Sequence, residues 1–189
     1  MKIACIGWGS LIWNPGSLLI HRQWFMDGPF LPIEYVRKSN DGRLTLVITE
    51  NAEPVRTLWA LMATDDLDAA KKSLYRREGI TKECTEKNMK EYIGSVSKTA
   101  NPDELIGNSQ KIIFHWLTHL DLDAAIWTNL TPKFKDGIIP TIDQAITYLK
   151  DLDINAFTNA EEYVRKTPKQ IDTDFRRRFE AEFGWTSIG

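Results

Sequence analysis

Residues 2–6, Lys-Ile-Ala-Cys-Ile, are apolar after the lysine, and Gly7, Gly9, Pro15 and Gly16 follow at once. Apolar β-formers ended by breakers predict a short buried strand and then a loop. Residues 33–39 and 43–49 have strand-like patterns, and Asn40-Asp41-Gly42 between them predicts a hairpin turn. Past Pro54, residues 55–62 predict a third strand of the same sheet. Residues 111–118 and 124–128 read as further strands.

From Thr64 the period becomes helical. Thr64 or Asp65 is the expected N-cap, Leu67, Ala70 and Leu74 form one stripe, and Gly79 is the expected stop. Near the C-terminus, Thr141 with Gln144 and Thr158 with Glu161 predict two capping boxes. Pro168 near a start, then Ile171, Phe175, Phe179 and Phe183 at four-residue spacing, with Gly184 as a stop, predict a last amphipathic helix. Residues 17–30 carry no regular period and read as a loop or short helix. Residues 81–110 are polar and broken by Gly94 and Asn101-Pro102; apart from a helix around 86–93 they read as a mobile excursion. The sum is a mixed α+β chain, with a β-rich body over residues 1–128 and a helical extension over 129–189.

At 189 residues the chain is long enough for one well-buried domain, and 42% apolar with 26% charged residues is ordinary for a globular protein. A net charge of −2 lacks the cationic surplus that phosphate neutralisation requires, so nucleic acid is not an expected partner. Two cysteines, Cys5 and Cys84, build neither a disulfide framework nor a metal site, and both are expected as buried thiols. No charged-then-apolar leader is present, and no apolar run approaches the ~18 residues of a membrane span. The expectation is a cytosolic protein.

The glycine loop at residues 7–11 lets backbone N–H groups approach a ligand, as an anion or carbonyl cradle does. A dinucleotide fingerprint needs a third Gly at position 12 and a helix starting within the motif; Ile12 and Asn14-Pro15-Gly16 stand there instead. A serine nucleophile elbow at Ser10 fails at the same Ile12. His115 and His119 are spaced like a metalloprotease pair, but Trp116 follows where Glu is required, so no metal is assigned. Arg176-Arg177-Arg178 alternates with Glu180 and Glu182 as a solvated, ion-paired face. Six tryptophans are expected in the core. Trp8 is the exception, since a loop flanked by glycines is a poor place to bury an indole.

Trp8-Gly9-Ser10-Leu11, continued by Ile12-Trp13-Asn14-Pro15-Gly16, resembles the Tyr-Gly-Ser-Leu loop of the γ-glutamylcyclotransferase-like family, in its glutathione-acting ChaC branch. Arg76-Arg77-Glu78-Gly79-Ile80 resembles the segment that carries that family's base. The resemblance covers about the first ninety residues. It implies a small mixed α/β barrel with flanking helices, a γ-glutamyl substrate bound by the loop (Trp8, Gly9, Ser10 and Leu11), Glu78 as catalytic base, and no cofactor. Trp8 replaces the family Tyr, so any role of that phenolic hydroxyl does not carry over.

Glu78 also stands out on its own. At about 100° per residue it falls near the azimuth of Leu67 and Leu74, on the apolar stripe and at the negative end of the helix dipole. Both effects are expected to raise its pKa. A base nearer neutrality suits removal of a proton from a γ-glutamyl α-ammonium, whose nitrogen then attacks its own γ-carbonyl and leaves as 5-oxoproline. Ring closure is intramolecular, so the protein has to hold the substrate, move a proton and stabilise an oxyanion. The alternatives are a non-catalytic small-molecule binder of the same fold and an acyl-processing enzyme with a different substrate.

Overall fold

The computed structural model describes residues 1–134 and 137–188. In chain order the elements are β1 (Ile3–Gly7), β2 (Ile20–Phe25), β3 (Phe30–Lys38), β4 (Leu44–Ile48), β5 (Pro54–Arg56), β6 (Leu58–Met62), α1 (Leu67–Arg77), α2 (Glu86–Tyr92), β7 (Ile93–Ser97), α3 (Asn108–Thr118), β8 (Ala124–Thr128), α4 (Ile142–Lys150), α5 (Ile154–Lys166) and α6 (Asp174–Phe183). The fold is mixed α+β, with two sheets among the described residues. The chain divides into two compact units that cut it differently from 1–128 and 129–189. The first holds residues 1–7, 14–31 and 56–130, and the second holds 8–13, 32–55 and the chain from Thr131 on.

In the first unit a five-stranded sheet runs β2-β6-β1-β8-β7. β1 is its centre: all five of its residues are buried, Cys5 faces Ala60 across an antiparallel ladder and Ile126 across a parallel one. A strand buried on both faces reads as a continuous apolar run, which is why β1 was legible. α1 is capped by Asp66, whose carboxylate accepts the N–H groups of Asp68 and Ala69, one residue past Asp65 and two past Thr64, the expected caps. It buries Ala70, Ser73, Leu74 and Tyr75 and is stopped by Gly79 at φ +63°.

Several expectations change in this unit. Residues 111–118 form helix α3, not a strand, because Ile113, Phe114 and Leu117 fall on one helical face and all three are buried. Residues 17–30 contain strand β2, and residues 81–110 contain α2 and strand β7. Gly94 in β7 lies under the Trp127 indole, where any Cβ would collide with the ring. The run 55–62 is split at Thr57. Its N–H and hydroxyl both donate to the Pro29 carbonyl, at 3.1 and 2.7 Å, and its carbonyl accepts the Gly28 N–H. That bend sends β5 to the three-stranded sheet and β6 to the five-stranded one. In place of the expected barrel, the described residues form two open sheets with no closed barrel; β2, at one edge, is itself irregular, with a register shift between Ile20 and Trp24 and Arg22 at φ +56°.

The second unit is built on the predicted hairpin. Ile33 faces Ile48 and Tyr35 faces Leu46, Gly42 turns at φ +89°, and β5 completes the order β4-β3-β5. Helices α4 to α6 fasten to it: the Tyr148 hydroxyl donates to the Gly42 carbonyl, and the Phe179 ring meets Tyr35 edge-on at 5.5 Å. The Thr141–Gln144 capping box is formed. The Thr158 box is not, because Asp153 caps α5 and Thr158 sits inside the helix, donating to the Ile154 carbonyl.

Arg176 corrects the reading of the basic run. It is 2% exposed and donates to the carbonyls of Thr167, Pro168 and Ile171 at 3.0, 2.7 and 3.0 Å, while its Nε meets Glu180 at 3.1 Å. Only Arg177 and Arg178 are solvated and ion-paired, with Asp172, Asp174 and Glu182. Beside it Glu34, also buried, accepts the Thr173 hydroxyl at 2.6 Å, the Tyr35 N–H at 2.9 Å and the Phe175 N–H at 3.3 Å. A β3 carboxylate thus caps the first turn of α6, where the helix dipole favours negative charge.

Candidate functional site

The loop residues Trp8, Gly9, Ser10 and Leu11 belong to the second unit, and Glu78 to the first. The loop makes a tight turn in which the Ile12 N–H donates to the Gly9 carbonyl at 3.0 Å. Among the described residues the Gly9 and Leu11 N–H groups have no acceptor, although both residues are buried. Backbone N–H groups left without an intramolecular partner on a turn are suited to an anion or a carbonyl oxygen.

Trp8 is not an exposed platform. It is 5% exposed, and its indole N–H donates to the Leu46 carbonyl of β4 at 3.1 Å. The indole is buried because the hairpin offers both an apolar surface and an acceptor, which nothing local to the loop announces. Gly9 serves close packing: an added Cβ would lie 3.4 Å from Tyr163 Cζ and closer still to its hydroxyl. That ring is fixed by Trp13 edge-on at 5.4 Å, by Arg43 over its face at 5.1 Å, and by the Leu46 N–H reaching its oxygen at 3.4 Å. Tyr163 therefore shapes the cradle. Its sequence signal was only that of a helix core position, because a contact across some 150 residues leaves no local trace.

Glu78 is the C-cap of α1, its N–H donating to Leu74 O at 3.0 Å. Its side chain is 14% exposed, with an oxygen 3.4 Å from the Arg77 guanidinium. The neighbour at the sheet is Cys5, whose thiol is pushed up to about 12, first by burial and then by the negative charge of Glu78, against the opposing charge of Arg77. Arg77 also donates to the Asn14 carbonyl at 2.7 Å. The end of α1 is thus tied to strand β1 and to Asn14 within the first unit.

Cys84 is exposed rather than buried. His115 lies on α3 and His119 is its C-cap, both exposed. Among the described residues no group of three or more His, Cys, Asp or Glu is placed to hold a metal ion, and no helix is long and apolar enough to cross a membrane. Comparisons of the chain with protein-family models, with curated proteins and with solved structures find no match.

Proposed function

We propose that the protein is a cofactor-independent enzyme of the γ-glutamylcyclotransferase type, releasing 5-oxoproline from a γ-glutamyl amide or peptide. The reading is carried by the loop: a turn whose Gly9 and Leu11 N–H groups have no acceptor among the described residues, in the segment that resembles the family's γ-glutamyl-binding loop. In the proposed reaction Glu78 takes a proton from the substrate's α-ammonium, the freed amine attacks the γ-carbonyl, and the protonated Glu78 gives a proton to the leaving nitrogen as its bond to the γ-carbon breaks, releasing 5-oxoproline and the amine with the carboxylate restored. The loop N–H groups hold substrate oxygen while the ring closes. The partly buried Glu78 carboxylate, at the end of α1 beside β1, supports its part in this scheme. The finer fold assignment, that of the cyclotransferase-like family, belongs to the same proposal.

The test is incubation of the wild-type chain with glutathione and a panel of γ-glutamyl amides, with 5-oxoproline measured as product. Release from at least one member is expected. A blank across the panel, with saturable binding of γ-glutamyl compounds retained, assigns the protein as a binder instead.

A further inference from the structure

Ala69, Lys72, Ser73 and Arg76 lie at i, i+3, i+4 and i+7 of α1, a single stripe of the helix. With Ser17 and Leu19, in the same unit, they enclose a cavity of about 280 Å³. Ser73 is buried at this stripe. Its Oγ accepts the Leu19 N–H at 2.9 Å, which leaves its own proton to donate. Lys72 and Arg76 are exposed, and among the described residues neither has an ion-pair partner. The neighbouring cations are engaged: Lys71 holds Asp68 at 3.0 Å, and Arg77 holds Asn14 and Glu78. Two positive charges one turn apart therefore border the cavity without an ion-pair contact of their own; Lys72 acts on Asp68 only at longer range, behind Lys71.

We propose that this cavity binds a small oxyanion, a phosphate or carboxylate carrying a short apolar body. Arg76 supplies a planar fork that fits either group with two parallel hydrogen bonds, and Lys72 supplies a compact charge. The hydroxyls of Ser17 and Ser73 supply neutral donors, and Leu19 and Ala69 supply the apolar wall. The volume of about 280 Å³ lies just below the range of ligand pockets, about 300–1,000 Å³, so the ligand is small. The site shares no residue with the proposed cyclisation chemistry and stands independently of it.

Calorimetric titration of the full chain with inorganic phosphate, butyl phosphate and butyrate, at ionic strength held constant with chloride, tests the proposal. One saturable site is expected, tighter for butyl phosphate than for inorganic phosphate because of the apolar wall. Lys72→Ala and Arg76→Ala are each expected to weaken it roughly tenfold or more, as loss of a charge-assisted hydrogen bond does, and Arg76→Lys to weaken it through loss of the fork. Glu78→Gln is expected to bind unchanged, which separates this site from the proposed catalytic one. The phosphate and butyrate arms decide which oxyanion is preferred. Absence of saturable binding by all three probes, or binding indifferent to both alanine substitutions, overturns the proposal.

Discussion

Gly9→Ala tests how the loop is held. The added Cβ falls 3.4 Å from Tyr163 Cζ, an ordinary contact, but inside any real carbon–oxygen approach to the hydroxyl. The ring cannot swing aside cheaply, because Trp13, Tyr35 and Arg43 confine it. Overpacking of this kind costs about 1–3 kcal/mol. For a chain of this size that is a fall of about 2–4 °C in Tm per kcal/mol. Tyr163→Phe removes the offending oxygen and leaves Leu46 N–H unpaired, so it carries its own cost of about 1–3 kcal/mol. In that background Gly9→Ala is expected to cost under ~0.5 kcal/mol, giving a coupling of about 0.5–3 kcal/mol in a double-mutant cycle read by urea unfolding. An equal cost in both backgrounds would refute the contact as the reason for glycine at position 9.

Glu34 links stability to pH. Burial raises its pKa, against the hydrogen bonds from Thr173, Tyr35 and Phe175 that lower it. The folded state then binds the proton more tightly than the unfolded one. This contribution is fully present below the ordinary glutamate pKa of about 4.3 and is lost as pH rises through the raised value. Urea midpoints of wild type should fall across that window, and Glu34→Gln should flatten the fall; an unchanged slope contradicts the linkage. Arg176→Lys should destabilise by about 3 kcal/mol or more, because an ammonium cannot serve three carbonyls and Glu180 together, and a loss under ~0.5 kcal/mol in chemical denaturation would contradict the clamp. In native protein a thiol reagent should titrate Cys84 alone, since Cys5 is fully buried with its thiol pushed up to about 12. Rapid reaction of two thiols would refute that placement.

What the sequence showed plainly was local. The turn at Asn40-Asp41-Gly42, the Thr141–Gln144 box, and the stops at Gly79 and Gly184 each depend on residues within a few positions of one another, and each is formed. Residues 111–118 misled because Ile112, Ile113, Phe114 and Trp116 favour strands by type, while the spacing of Ile113, Phe114 and Leu117 is helical, and the spacing won. β7, Ile-Gly-Ser-Val-Ser, is too short and polar to signal itself; its pairing with β8 makes it a strand. Thr57 looks like any strand residue until Pro29 and Gly28 arrive to bend the chain there. Burial of Trp8 and Arg176 follows from partners far along the chain or from carbonyls outside the helix pattern. Of the candidate site, the residue types and the end of α1 were legible. The Tyr163 support and the Arg77–Asn14 link were not.

The central claim is that Glu78 removes the proton that permits ring closure. Its most direct test is 5-oxoproline release by wild type and Glu78→Gln on the best substrate of the γ-glutamyl panel, with substrate binding measured in parallel. The account predicts a fall in kcat of about 10²–10⁴-fold, the usual contribution of a positioned base, with binding and unfolding midpoint preserved. Release at the wild-type rate from Glu78→Gln would contradict it.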